Sequence, residues 1–164
     1  MNELHLYEVD PSYLKFLHKI DYRVSVKYNN RPFVGVIVMI SGISYLLPLT
    51  SKTTQEREKE GRKKRAAKVT TFVRNSDGTE IANILHNNMI PVVEGCYTEK
   101  EIDASVDTYE SNEIRFIRKH KDSIISKAHK VHDKRIEGKD VFLKKVCCDF
   151  KKLEEKYAKY NHSE

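Results

Sequence analysis

YNNRPFVGVIVMISGISYLLPLTSK, residues 28–52, is the stretch on which the reading of this chain turns. Two β-rich apolar segments, Phe33 to Ile40 and Ile43 to Leu49, are separated only by Ser41-Gly42. The spacing predicts a β-hairpin, because glycine reaches the positive φ that a two-residue turn requires. Antiparallel pairing brings the start of the first strand beside the end of the second. Tyr28, Asn29, Asn30 and Arg31 are therefore expected to converge on Thr50, Ser51 and Lys52, a cluster of hydroxyls, amides and cations at one end of an apolar hairpin.

On the N-terminal side, Leu4 to Val9 reads as a short strand. Asp10-Pro11 then has the form of an N-cap followed by proline at the first helical position. Tyr13, Phe16, Leu17 and Ile20 give one apolar stripe, so Asp10 to Lys19 is expected to be a helix covering the sheet. Tyr22 to Tyr28 reads as a strand or an extended loop feeding the hairpin, with a turn at 29–32. On the C-terminal side, Val69 to Val73 and Glu80 to Leu85 flank the turn signal Asn75-Ser76-Asp77-Gly78. Ile90 to Val93 reads as a further strand, with Pro91 suited to an edge. Residues 96–109 are acidic and irregular. Glu110 to Glu137 carries an apolar helical period that ends at Gly138, as one helix or as two with a break at Asp122-Ser123. Asp149 is positioned to cap a last helix whose stripe is Phe150, Leu153, Tyr157 and Tyr160. Five or six short strands with helices against them make an α+β domain built on a curved antiparallel sheet.

Between hairpin and second sheet segment lies KTTQEREKEGRKKRAAK, residues 52–68, dense in charge and without a large apolar residue. Two readings stay open: a solvated, partly helical loop, or a nucleic-acid arm built from Arg62, Lys63, Lys64, Arg65 and Lys68. At 164 residues and 39% hydrophobic composition the chain suits one compact domain, residues 1–164, since domains commonly hold roughly 100 to 150 residues. Thirty Lys and Arg against 24 Asp and Glu, net +6, favour a polyanionic partner. Cys147 and Cys148 are adjacent and the cysteine count is odd, which points to a reducing cytoplasm. No signal peptide is visible, and the apolar span Phe33 to Leu49 is too short, too β-branched and too interrupted for a transmembrane helix. The charged loop also lacks the apolar face of a membrane-surface segment, so no membrane partner is expected.

Phosphate-binding glycine loops, zinc-spaced Cys and His pairs, and paired carboxylates near the hairpin are all absent, so neither metal nor cofactor is expected. His86, His129 and His132 are the histidines with a claim to proton transfer, each with a structural alternative. A basic protein without metal can still cleave RNA by using the ribose 2′-hydroxyl as nucleophile, provided that it orients that hydroxyl and stabilises charge on the phosphate. Lys52, Arg31 and Lys27 could hold phosphate oxygens, Thr50 and Ser51 could donate to them, and Tyr28 could bond or stack. The competing reading of Thr-Ser-Lys is a capped loop with a surface lysine. A non-catalytic, basic RNA-binding module is the alternative function.

RPFVGVIVMISGISYLLPLTSK resembles the hallmark region of the ToxN/AbiQ family, the endoribonuclease toxins of type III toxin-antitoxin systems. LYEVDPSYLKFL, NMIPVVE (residues 88–94) and IRFIRKHKDSIISKA followed by FKKLEEKYAKY agree in order and position, so the likeness covers nearly the whole chain. It implies a strongly twisted antiparallel sheet, a partial barrel, with surrounding helices, and a metal-independent endoribonuclease that leaves a 2′,3′-cyclic phosphate and a 5′-hydroxyl. It also implies inhibition by a repeated RNA that folds as a pseudoknot, which the toxin processes and with which it closes into rings in the bacterial cytoplasm. Transferred residue by residue, Ser51 is tied most closely to activity, with Thr50 beside it and Tyr28 before the first hairpin strand. Arg31 stands where relatives can have lysine, and Lys52 follows Ser51 directly where a relative can carry one residue between; the charged 52–68 segment is also more basic than the family pattern.

Overall fold

The computed structural model describes residues 3–26 and 32–160. The hairpin forms as the spacing requires: β2 (Phe33–Ile40) and β3 (Ile43–Thr50) pair antiparallel from Ile40↔Ile43 to Gly35↔Pro48. Ser41 (φ 51) and Gly42 (φ 81) both take left-handed backbone, the geometry of a type I′ turn whose twist matches the strands it joins. Gly35 serves closeness instead. A Cβ there would lie 2.2 Å from the Leu47 carbonyl oxygen, so the hairpin closes at this point only around a hydrogen atom.

Around the hairpin runs an open, twisted antiparallel sheet of order β4-β5-β3-β2-β1-β7, in an α+β arrangement. β1 (Leu6–Val9) pairs with β2 on one side and with β7 (Tyr97–Glu99) on the other. β3 changes partner along its length. Tyr45 and Leu46 pair with β6 (Ile90–Pro91), whereas Leu49 and Thr50 pair with Ile84 and Asn83 of β5 (Glu80–Leu85), which itself pairs with β4 (Thr70–Arg74). Among the described residues seven strands therefore replace the five or six expected, the addition being β7, inside the stretch that local pattern leaves irregular.

Helix α1 (Pro11–Ile20) begins with proline at its first position and buries Tyr13, Leu14 and Leu17, although the Asp10 side chain makes no capping bond. α2 (Thr54–Lys59) lies in the charged segment, capped by Thr53, whose hydroxyl accepts from the Glu56 N–H. The long helical period divides at His120 rather than at Asp122-Ser123, into α3 (Tyr109–Lys119) and α4 (Lys121–Glu137), which stops at left-handed Gly138. Sequence pattern misses α5 (Val141–Val146), a single-stripe helix of six residues capped by Asp140. Asp149 caps α6 (Phe150–Lys156) as expected, and a 3-10 turn continues it to Lys159. α4 packs on β2 and α6 on β6. The core is one cluster in which Val36, Val38, Tyr45 and Leu47 of the hairpin meet Ile124, Phe150 and Leu153 of the helices. Cys96, Cys147 and Cys148 are free and buried in it.

Candidate active site

Where β3 ends, the chain leaves the sheet beside an open cleft of about 990 Å³. Val34 and Leu49 form apolar wall, Thr50, Ser51 and Lys52 stand together along one side, and Ser25, Glu56, Arg62, Lys100, Tyr109, Glu110 and Glu113 contribute the remaining polar lining. Val26 and Pro32 also line it; Lys27, Tyr28, Asn29, Asn30 and Arg31, the other half of the expected cluster, lie outside the described residues.

Thr50 is fixed by its pairing with Asn83, and its hydroxyl accepts from the Lys52 N–H at 3.2 Å. That is a local hydroxyl turn, so the capped-loop reading holds for the backbone. It turns the exposed Ser51 outward at the cleft. Lys52 reaches back to the end of α2, where its ammonium meets the Glu60 carboxylate at 2.7 Å; that ion pair holds the Glu60 carboxyl below the usual range. Among the described residues no histidine or lysine side chain bonds the Ser51 hydroxyl, and the neighbouring lysine is committed to Glu60.

The basic residues of the 52–68 segment do not act as one arm. Arg62 lines the cleft, 3.9 Å from Glu60. Lys63 and Lys64 are exposed, with the Lys64 ammonium 4.8 Å from the centre of the Phe72 ring. Arg65 is half-buried and donates to the Asn83 side chain at 3.1 Å; burial, then the charges of Arg57 and Arg62, push its guanidinium down to about 10, so it remains a cation at neutral pH. Lys68 pairs with Asp140 at the start of α5 and leaves the group altogether.

The histidines resolve towards structure. His86 is fully buried, its ring nitrogen Nε2 2.8 Å from the Thr71 hydroxyl, and burial pushes it down to about 3, where it stays neutral. His129 is half-buried on α4. His132 faces the core at the far end of β3: its Nε2 lies 2.6 Å from Glu154 Oε2, which also accepts from the Tyr45 hydroxyl at 2.5 Å. Thus the LEEKY glutamate ties α6 to α4 and to the hairpin.

Lys100, Tyr109 and Glu113 are among the cleft residues that pattern did not single out. The Tyr109 hydroxyl donates to the Ile81 carbonyl at 2.6 Å, joining the first turn of α3 to β5. Glu113 is 6% exposed, and burial, reinforced by the Glu110 charge and opposed by Lys100, pushes its carboxyl up to about 7. A glutamate at the position before Ile114 and four before Ile117 lies on the buried face of an amphipathic helix, and that was the available signal. Among the described residues no three His, Cys, Asp or Glu side chains group to hold a metal ion, and no helix is long and apolar enough to cross a membrane.

Comparison with known proteins fits this geometry. Endoribonuclease ToxN of Bacillus thuringiensis subsp. kurstaki is 32% identical over 93% of this chain and 81% of its own length. Endoribonuclease AbiQ of Lactococcus lactis subsp. lactis is 26% identical over 96% of this chain and 90% of its own. A solved structure of a type III toxin-antitoxin system, in which a non-coding RNA pseudoknot selectively inhibits the toxin, matches with a TM-score of 0.79 at 30% identity, covering 98% of this chain and 99% of that one. The family described as toxin ToxN, type III toxin-antitoxin system, matches residues 5–158. With that span and that identity, the chain belongs to the ToxN family of type III toxins.

Proposed function

We propose that this protein cuts RNA in the cleft at the end of β3, by attack of a ribose 2′-hydroxyl on the adjacent phosphate, without a metal ion. The observation that carries the reading is the grouping of Thr50, Ser51 and Lys52 with Arg62 and Lys100 around one open cleft, in a family whose curated relatives are endoribonucleases. The chain is an endoribonuclease of a type III system, restrained by an RNA pseudoknot. In the proposed chemistry O2′ bonds to phosphorus, the P–O5′ bond breaks, and the products carry a 2′,3′-cyclic phosphate and a 5′-hydroxyl. Ser51 and Thr50 position the scissile phosphate and the attacking hydroxyl. Lys52 and Arg31 stabilise the charge that builds on the phosphate, Tyr28 orients the substrate, and Lys27, Asn29, Asn30, Arg62, Lys63 and Lys64 hold the strand on either side. Arg65 and Lys68 contribute less, since they already bond Asn83 and Asp140. Ser51 is an organiser and not a covalent nucleophile, because among the described residues no side chain bonds its hydroxyl to withdraw the proton. The same cleft processes the repeated antitoxin precursor, and toxin and RNA close into rings in the cytoplasm.

Purified protein incubated with RNA in EDTA should yield fragments ending in cyclic phosphate, and Ser51→Ala should slow their formation by about 10²-fold or more. Linear 3′-phosphate ends from the outset, strict dependence on magnesium, or a Ser51→Ala variant as fast as wild type would each overturn the scheme.

A further inference from the structure

Cleavage of this type needs a group that takes the 2′-hydroxyl proton, and neither Thr50, Ser51 nor Lys52 can do so as placed. No histidine is among the described residues lining the cleft. His86 and His132 are occupied with Thr71 and Glu154 inside the core. The described cleft residues that could accept a proton are three carboxylates, Glu56, Glu110 and Glu113, together with the Tyr109 phenol. Of the carboxylates only Glu113 is buried; Glu56 is exposed and Glu110 half-buried.

We infer that Glu113 is the general base of the RNA cleavage, accepting the 2′-hydroxyl proton from α3, the wall of the cleft that faces the substrate from a different element than Ser51. The assignment rests on the reading of this cleft as the cleavage site.

Three features of the geometry support it. Glu113 comes from α3, which is bonded at its start to β5 through Tyr109 and towards its end to the segment before β1, where Arg118 donates to the Leu4 carbonyl at 3.0 Å. The helix is thus anchored near both its ends, and the carboxylate is held on a rigid element as a positioned base must be. Secondly, the Tyr109 side chain, one turn earlier on the same helix, bonds Glu113 in the sense that favours its ionised form, against the push of burial. That contact helps to keep the carboxylate ready to accept a proton. Thirdly, the groups facing Glu113 balance: Glu110 and Tyr109 on its own helix, Lys100 after β7, and Lys52, Arg62 and Glu56 across the cleft. The resulting affinity for a proton near pH 7 suits a base that must be ionised yet still basic at neutrality.

The O2′–H proton passes to a Glu113 carboxylate oxygen as O2′ bonds to phosphorus. The P–O5′ bond breaks, and O5′ takes a proton from water entering the open cleft. Glu113 then returns its proton to solvent, with no net change in the protein.

The test is the single-turnover cleavage rate between pH 5 and 9, with RNA affinity measured separately on a strand carrying a 2′-deoxyribose at the cut. Wild type should show a rate rising with pH and levelling above about 7. Glu113→Gln, which keeps the shape of the side chain, should lose that rising limb and about 10²-fold or more of the plateau rate, while affinity for the deoxy strand changes less than about threefold. An equally fast variant, or a slow one that keeps the rising limb, would overturn the assignment and leave the cleft reading intact. A wild-type profile without a limb near neutrality would do the same even if the variant failed to fold. Absence of cyclic-phosphate product from wild type would remove both.

Discussion

The two ends of β3 bury acidic side chains in opposite ways. At the hairpin-turn end Glu154 accepts from Tyr45 at 2.5 Å and lies 2.6 Å from His132, with Phe150 stacked on the imidazole. At the other end Glu113 is more deeply buried than Glu154, yet it lines a cleft and is pushed towards its protonated form. The covering helices make the difference. α4 packs on β2 and α6 on β6, and together they bring His132 and Glu154 onto Tyr45, whereas α3 packs on β4 and borders the open cleft. A carboxylate tied to two partners across elements specifies a fold; one whose burial outweighs its partners retains affinity for a proton.

Three substitutions test this contrast. Gly35→Ala should cost most, on the order of 4 kcal/mol or loss of folding, because the new methyl would meet the Leu47 carbonyl and part β2 from β3 between the two ends. Chemical denaturation reads it; an undisturbed midpoint would show that the hairpin can give way at this position. Glu113→Gln should have the opposite sign. A carboxyl whose proton affinity is raised in the folded state stabilises that state most at low pH, and this contribution is lost as pH rises from about 4.5 to about 7. At pH 8 the variant should therefore be more stable than wild type, by on the order of 2 kcal/mol, with no gain at pH 4. Equal stability at both values would mean that Glu113 is solvated in the free protein. Tyr45→Phe should cost least, about 1 kcal/mol, since Glu154 keeps His132. An increase in melting temperature there would reverse the comparison.

The contrast also marks how far local pattern reaches. Ser41-Gly42 encodes the hairpin, Asp10-Pro11 the start of α1, and Gly138 the end of α4, each through backbone chemistry within a few residues. β7 has only Tyr97, Thr98 and Glu99, two of them exposed, and it exists because β1 offers an edge ninety residues away in sequence. α2 was legible in principle: Thr53 with Glu56 is a capping pair inside a run that reads first as charge. Of the site, Thr50, Ser51 and Lys52 followed from the hairpin's end. Glu113 shows in the sequence only as a charge on the apolar face of α3, because burial of a helical glutamate depends on which surface the helix meets. Lys68 shows the reverse error, since sequence groups it with Arg62 while Asp140 draws it to α5.

The Lys52–Glu60 pair has a consequence for how strongly salt governs RNA capture. A phosphate arriving at Lys52 exchanges places with a carboxylate already there, so few small ions are set free at that point and little entropy is gained. Counterion release on binding then falls to cations without a tethered anion, such as Lys63, and the lysine nearest Ser51 responds to the fit of the strand more than to ionic strength.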